Sequence, residues 1–368
     1  MIAKLLPNRV RRTYLGGSRI DAFTGAINCV PPMPMPEDWM ASTTTAFNGT
    51  LEIEGEGLGR LEDGRLVKDV VGTLPILVKL LDSDERLVIQ AHPTVPCARR
   101  LFNSPVGKTE CWYFLPGTAP DACVYLGFKP GITREKWEAA FWGGSRSCAT
   151  AAETAAPHAD AQERVPPVGG ADARERVPPL LSFLHRIPVA AGDFVFVDGG
   201  MPHAIGGGCF MIELQEPSDL MVVAERVTPS GRRIPDAKMH GGVGWEKMFE
   251  VYEYEGLTYE EVCARYVRWA GGSRSCATAA ETAAPHADAQ ERVPPVKQIL
   301  GPELTDKFEM WRVAGGGMLS LPRDRAVAVV TEGAGEVNGL AVKKGDRLLV
   351  FDERRFDVSG SATLVACA

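Results

Sequence analysis

Short apolar runs separated by turns rich in Gly, Pro and Asp dominate this chain, and one run carries chemistry on a fixed face. Leu87-Val88-Ile89-Gln90-Ala91-His92-Pro93 alternates as a strand does, so Gln90 and His92 point to the same side. Gly107-Lys108-Thr109-Glu110-Cys111-Trp112 follows, and the apolar run 111–115 brings the Glu110 carboxylate in on what reads as a neighbouring strand. Gly199-Gly200-Met201-Pro202-His203 then supplies a second histidine just past a glycine-rich turn. Two imidazoles, a carboxylate and an amide oxygen make a workable four-ligand set for a divalent metal. Taken singly, each is equally a satisfied polar group in a β core. Glu110, for instance, can pair with Lys108, two residues away on the same face. The combination carries the signal.

Further apolar runs at 73–81, 123–128, 187–197 and 210–215, with 326–330, 333–337 and 344–350 near the end, indicate a mainly β protein. Ser83-Asp84 reads as the turn of a hairpin leading into the histidine-bearing strand. Residues 1 to about 50 read as a wrapping segment of loops and short strands. Helix is expected from the Thr133 cap through Phe141, and again over 241–268, where Thr258 caps a short amphipathic stretch. The last β unit has no histidine after His286 and is expected to be a structural or dimer-forming barrel without metal.

Residues 143–168 recur without a change at 271–296, and a shorter echo occupies 171–180. Structural repeats drift while keeping their pattern; complete identity points instead to a recently duplicated segment. It is Ala-rich, poor in large apolar residues and ends near Pro-Pro, so both copies are expected at the surface, outside the core. The copies' histidines, His158 and His286, read as surface residues.

Charge and cysteine content exclude several classes. The net charge is −7 and no Lys/Arg run is interleaved with aromatics, so nucleic acid is not an expected partner. Nine cysteines without a C-x-x-C pair indicate neither a disulfide framework nor a zinc ribbon. No apolar run approaches the roughly 20 residues of a membrane helix, and the N-terminus lacks an apolar h-region. A cytoplasmic protein without membrane contact is expected.

The run Gly192-x5-Asp198-x-Gly200-x2-His203 resembles the second signature motif of the cupin superfamily, with Asp198 where cupins usually have Pro and Gly207 where they have Asn. Gln90-x-His92 with Glu110 resembles the first motif, Gln replacing its leading histidine. PILVKLLDSDERLVIQAHP, GKTECWYFL and HAIGGGCFMIELQEPSD together look like type I mannose-6-phosphate isomerase in its short bacterial form. The likeness covers most of the chain outside the duplicated segments. It implies two cupin (jelly-roll) barrels with a small helical embellishment and two Ala-rich surface insertions. The implied division is 1–240, metal-binding, with insertion 143–168; 241–300, a helical connection with insertion 271–296; and 301–368, metal-free.

The resemblance also implies one zinc ion per chain on Gln90, His92, Glu110 and His203. The implied reaction interconverts mannose 6-phosphate and fructose 6-phosphate through a cis-enediol. Glu213 aligns with the family's candidate acid/base, and Lys108 with the lysine beside the zinc glutamate. The family's long forms carry an Arg and a Lys in R-x-G-x-T-P-K; here Ala224 and Ser230 stand there if Thr228-Pro229 anchors the alignment. Arg226, with Arg232 or Arg233, is expected to supply that charge, since a guanidinium suits phosphate. Val88 replaces a serine on the pocket side. Two alternatives accompany this reading: an isomerase for another sugar or sugar phosphate, and a non-catalytic sugar- or metal-binding cupin. An iron dioxygenase is disfavoured by Gln90, which replaces an imidazole such a site wants.

Overall fold

A computed structural model describes residues 1–25, 35–48, 53–149, 179–272 and 294–368. The chain is mainly β, in antiparallel sheets, as the apolar runs lead one to expect. A seven-stranded sheet runs in the order Val267–Arg268, Phe194–Val197, Glu110–Phe114, Cys209–Gln215, Leu77–Ser83, Glu37–Met40, Arg9–Val10. It faces a five-stranded sheet ordered Val222–Val223, Gln90–Ala91, His203–Ile205, Cys123–Phe128, Leu184–Pro188. Trp112, Phe114, Met211, Val124, Leu126 and Ile205 pack between the two.

The C-terminal residues, with the N-terminal strand Ile2–Lys4 added at one edge, form a second pair of sheets, six-stranded and four-stranded, around Val330, Leu348, Phe356 and Leu364. The two pairs lie back to back. Val78, Leu80, Ile212 and Leu214 on the outer face of the seven-stranded sheet share one core with Val327, Leu349 and Val365. Strand periodicity explains how one segment serves both cores: along Cys209–Gln215, Ile212 and Leu214 turn outward while Met211 and Glu213 turn inward. Truncating a fully buried leucine such as Leu80 to alanine costs about 2–5 kcal/mol.

Three expectations need correction. Ser83-Asp84 is not a hairpin turn, because Leu77–Ser83 and Gln90–Ala91 belong to different sheets. The chain crosses over here and is fixed by charge and by lone hydrogen bonds. Arg86 forks onto Glu225 at 2.7 and 2.8 Å, Glu225 also accepts the Ile89 N–H, and the Leu87 N–H donates to Ile205 O. For the same reason the Glu110 strand is not a neighbour of the His92 segment but lies in the facing sheet. Finally, the ends of the duplicated segments are part of the fold. The helix Arg134–Ala149 runs into the first copy, and Val296 at the end of the second pairs with Val313. The remainder of both copies, with His158 and His286, lies outside the described residues.

The N-terminal segment is tied to the far end of the chain. Ile2–Lys4 pairs with Arg347–Phe351, and Arg347 forms a buried ion pair with Asp38. Among the described residues no helix is long and apolar enough to cross a membrane.

Candidate metal centre and active site

His92, Glu110 and His203 arrive from both sheets of the first pair and converge. Their ligand atoms all lie within 4.8 Å of one another, and all three side chains are buried. His203 opens the strand His203–Ile205 and sits opposite Gln90 in the ladder. Glu110 opens the facing strand Glu110–Phe114.

The glycines before His203 make this approach possible. The Gly200 N–H donates to His92 O at 2.6 Å, and a Cβ at Gly199 would come within 2.9 Å of the Thr94 backbone. Gly200 itself has φ +86°, a conformation other residues adopt only with strain.

The tautomers are set by the backbone. His92 Nδ1 donates to Leu220 O at 2.8 Å and His203 Nδ1 to Met201 O at 2.9 Å, so both Nε2 lone pairs point inward. His92 Nε2 is 3.3 Å from one Glu110 oxygen and His203 Nε2 is 3.4 Å from the other. His203 Nε2 and Glu110 Oε1 have no hydrogen-bond partner although fully buried. Orphaned buried acceptors are costly, and a cation among them removes the cost. This donor set, two neutral imidazoles and a carboxylate, fits zinc.

Burial pushes the His203 imidazole down to about 3, and lowers His92 with help from Lys108. Burial opposes ionisation of Glu110, but Lys108 and His92 outweigh it and hold the carboxyl well below the usual range. Lys108 is buried at the rim, its Nζ 2.7 Å from His92 Nε2 and 2.9 Å from Glu110.

Beside this cluster lies a cavity lined by Val88, Gln90, Lys108 and Glu213, among others. Glu213 faces Lys79 at 2.7 Å, and burial raises its carboxyl against the pull of that lysine. Behind the pair stands a charged network from three separate parts of the chain. Glu37 accepts from Tyr14 OH (2.7 Å) and Trp39 Nε1 (2.6 Å) and pairs with Arg12 (3.0 Å), while Arg12 also forks onto Asp219 at 2.9 and 3.0 Å. Arg12 and Lys79 both sit over the Trp39 ring. Burial works against the Glu37 charge, but Arg12 and Lys79 bring it down to about 2.

The three arginines expected to bind phosphate are not brought to the cavity. Arg226 lies over Trp245, Phe141 and Trp142 with its guanidinium carbon 4.9, 5.2 and 5.6 Å from the ring centres, and pairs with Asp236. Arg232 and Arg233 are exposed on a turn. Instead the lining contains Arg12, Lys79, Arg86, Lys108 and Lys238. The first four are engaged: Arg12 with Glu37 and Asp219, Lys79 with Glu213, Arg86 with Glu225, Lys108 with Glu110. The Lys238 backbone bonds within its own turn, but its ammonium has no hydrogen bond or ion pair among the described residues. Desolvation and the nearby Arg12 charge lower its pKa. Its only sequence signal was a cation ten residues beyond Thr228, in a stretch that reads as a solvated basic loop.

No family model matches the chain. Among curated proteins, the probable mannose-6-phosphate isomerase GmuF of Bacillus subtilis is 27% identical over 216 residues, 55% of this chain and 55% of its own length. The mannose-6-phosphate isomerase of Streptococcus mutans is 30% identical over 145 residues, 39% of this chain and 34% of its own length. The chain thus aligns with about half or less of these relatives. In structure, the mannose 6-phosphate isomerase of Bacillus subtilis superposes with a TM-score of 0.64 at 17% identity, covering 100% of this chain and 99% of that one. The apo mannose 6-phosphate isomerase of Salmonella typhimurium gives 0.63 at 14% identity, covering 100% and 98%. The resemblance read from the motifs is borne out by these curated relatives, and the fold by the structures.

Proposed function

We propose that this chain is a zinc-dependent aldose–ketose isomerase that interconverts mannose 6-phosphate and fructose 6-phosphate through a cis-enediol. The observation that carries the reading is the pair of inward-turned imidazole nitrogens at Glu110, beside a cavity containing Glu213. The names of the curated relatives supply the substrate. In this reading residues 1–240 carry the site, 241–300 connect, and 301–368 form a metal-free unit. The protein works in the cytoplasm.

Gln90, His92, Glu110 and His203 would hold one zinc ion. Held by these residues, the ion would supply Lewis-acid polarisation of a substrate carbonyl and stabilisation of the oxygen charge that develops there. Glu213 removes the proton next to the carbonyl and returns it to the adjacent carbon. Burial suits it to the first task, since a raised carboxyl takes a proton more readily than an ordinary glutamate does. Lys108 donates to a substrate oxygen at the cavity wall. Val88 provides an apolar wall where a serine would add a donor. Lys238, the lining cation without a partner, takes the phosphate in place of Arg226, Arg232 and Arg233.

The test is a coupled assay of mannose 6-phosphate conversion, with and without chelator, alongside elemental analysis. Zinc-dependent turnover supports the proposal. Bound zinc without turnover retains the metal centre and moves the substrate to another sugar, or the protein to a binding role.

A further inference from the structure

Lys307 belongs to the C-terminal part of the chain, yet its ammonium reaches across to the residues that hold the metal cluster. It donates to Thr109 Oγ1 and, at 2.8 Å, to Glu216 Oε2. Both contacts lead into the site. Thr109 lies between Lys108 and Glu110, and its fully buried side chain leaves on the opposite face from theirs. Glu216 and Thr109 also bond each other twice. The Thr109 N–H donates to Glu216 Oε2 at 2.9 Å, and the Glu216 N–H donates to Thr109 O at 3.1 Å. Glu216 begins the loop that supplies Asp219, which grips Arg12, and the Leu220 carbonyl, which fixes the His92 ring. Lys307 is itself held in place, its N–H on Thr305 Oγ1 and its carbonyl on Arg323.

We propose that Lys307 is a positioning residue for the metal centre, through which the C-terminal unit sets the placement of Glu110 and the orientation of His92. The inference rests on the zinc reading above. Without Lys307, Glu216 is left as a buried carboxylate with no cationic partner among the described residues, and the Thr109 hydroxyl loses its donor. Rearrangement there shifts the segment 108–110 and the loop 216–220 together. Ligands in this kind of outer support typically change metal affinity by about 10–100-fold; a group one step further out belongs at the low end.

The test measures Zn2+ affinity by competition with a chromophoric chelator, well below the melting temperature, in the full-length parent and four variants. Lys307→Met and Thr109→Val are expected to weaken Zn2+ binding by about tenfold, and Lys307→Arg to restore most of it. Lys4→Met breaks a comparable tie, Lys4 to Asp346 at 2.8 Å, far from the cluster. It is expected to lower the melting temperature without changing Zn2+ affinity. If Lys307→Met does not fold, Thr109→Val decides. Unchanged affinity in both site variants, or an equal loss in Lys4→Met, overturns the inference. A parent protein that takes no Zn2+ overturns it together with the zinc reading, and is the only result that strikes both.

Discussion

Glu213 lies directly opposite Lys79 in the antiparallel pair formed by Cys209–Gln215 and Leu77–Ser83, and its Oε1 accepts from the lysine Nζ at 2.7 Å. Both side chains are almost completely buried, so the ammonium is the main influence opposing burial at this carboxyl. The carboxyl keeps a proton affinity above that of an ordinary glutamate, which is what the proposed role of base requires.

Glu213→Gln is expected to lower kcat by about 10²–10⁴-fold and to leave zinc content at the parent level. Lys79→Met should act on the pH profile. Without the lysine the carboxyl rises further, so the limb along which activity is lost on acidification moves to higher pH. Rate profiles with mannose 6-phosphate check this; an unmoved limb in Lys79→Met would falsify the assignment of Glu213 as base.

The Arg12 network has a stability consequence. Asp219→Asn leaves Arg12 buried with Glu37 alone, and breaking a buried pair from one side costs about 3–5 kcal/mol. Denaturant unfolding of the variant is expected to show a loss of that size. Glu37 adds a pH signature with a definite sign. Its folded value, about 2, is below that of the unfolded chain, so its contribution is complete above about pH 4 and is lost as pH falls through about 2. The stability gap between parent and Glu37→Gln should therefore narrow over that window and stay constant above it.

Much of the site was legible because strands impose a period. Gln90 and His92 share a face two residues apart, Glu213 turns inward between outward Ile212 and Leu214, and the Gly-Gly before His203 marked a tight approach. Pairing was less legible. Alternation at 87–92 suggested a strand beside its predecessor, but it cannot say which sheet accepts it; Glu225, more than a hundred residues on, decides that through Arg86. The charged network was the least legible part. Arg12, Glu37, Lys79 and Asp219 have no local pattern, and their burial follows from partners that only folding brings together. That Arg226 stacks on aromatic rings and does not line the cavity was hidden for the same reason, because Phe141, Trp142 and Trp245 come from distant segments.

Lys238 and Arg226 separate two views of the phosphate end. If Lys238 receives the phosphate, Lys238→Met should raise KM for mannose 6-phosphate at least tenfold, about 1.4 kcal/mol, with zinc content unchanged. Arg226→Met should leave KM within about twofold and instead lower stability by about 1–2 kcal/mol through its lost cation–π contacts. The reverse pattern, a large KM effect from Arg226 alone, would return the phosphate to the arginine loop.

Metal retention at low pH follows from the buried imidazoles. In the zinc reading, a proton would have to displace the metal from histidines whose neutral form is favoured by burial, His203 down to about 3 and His92 below its ordinary value. Competition by protons should therefore begin well below the roughly 6.5 of a free histidine. Dialysis at about pH 5 is expected to leave close to one zinc per chain by elemental analysis, and half-loss near pH 6.5 would sink the expectation. Removing the metal with a chelator at neutral pH should abolish turnover and lower the melting temperature. With free zinc at a thousand times its dissociation constant, the stabilisation lost is about 4 kcal/mol, a drop that calorimetry with and without chelator resolves. Unchanged melting on chelation would mean that His92, Glu110 and His203 hold their geometry without a metal.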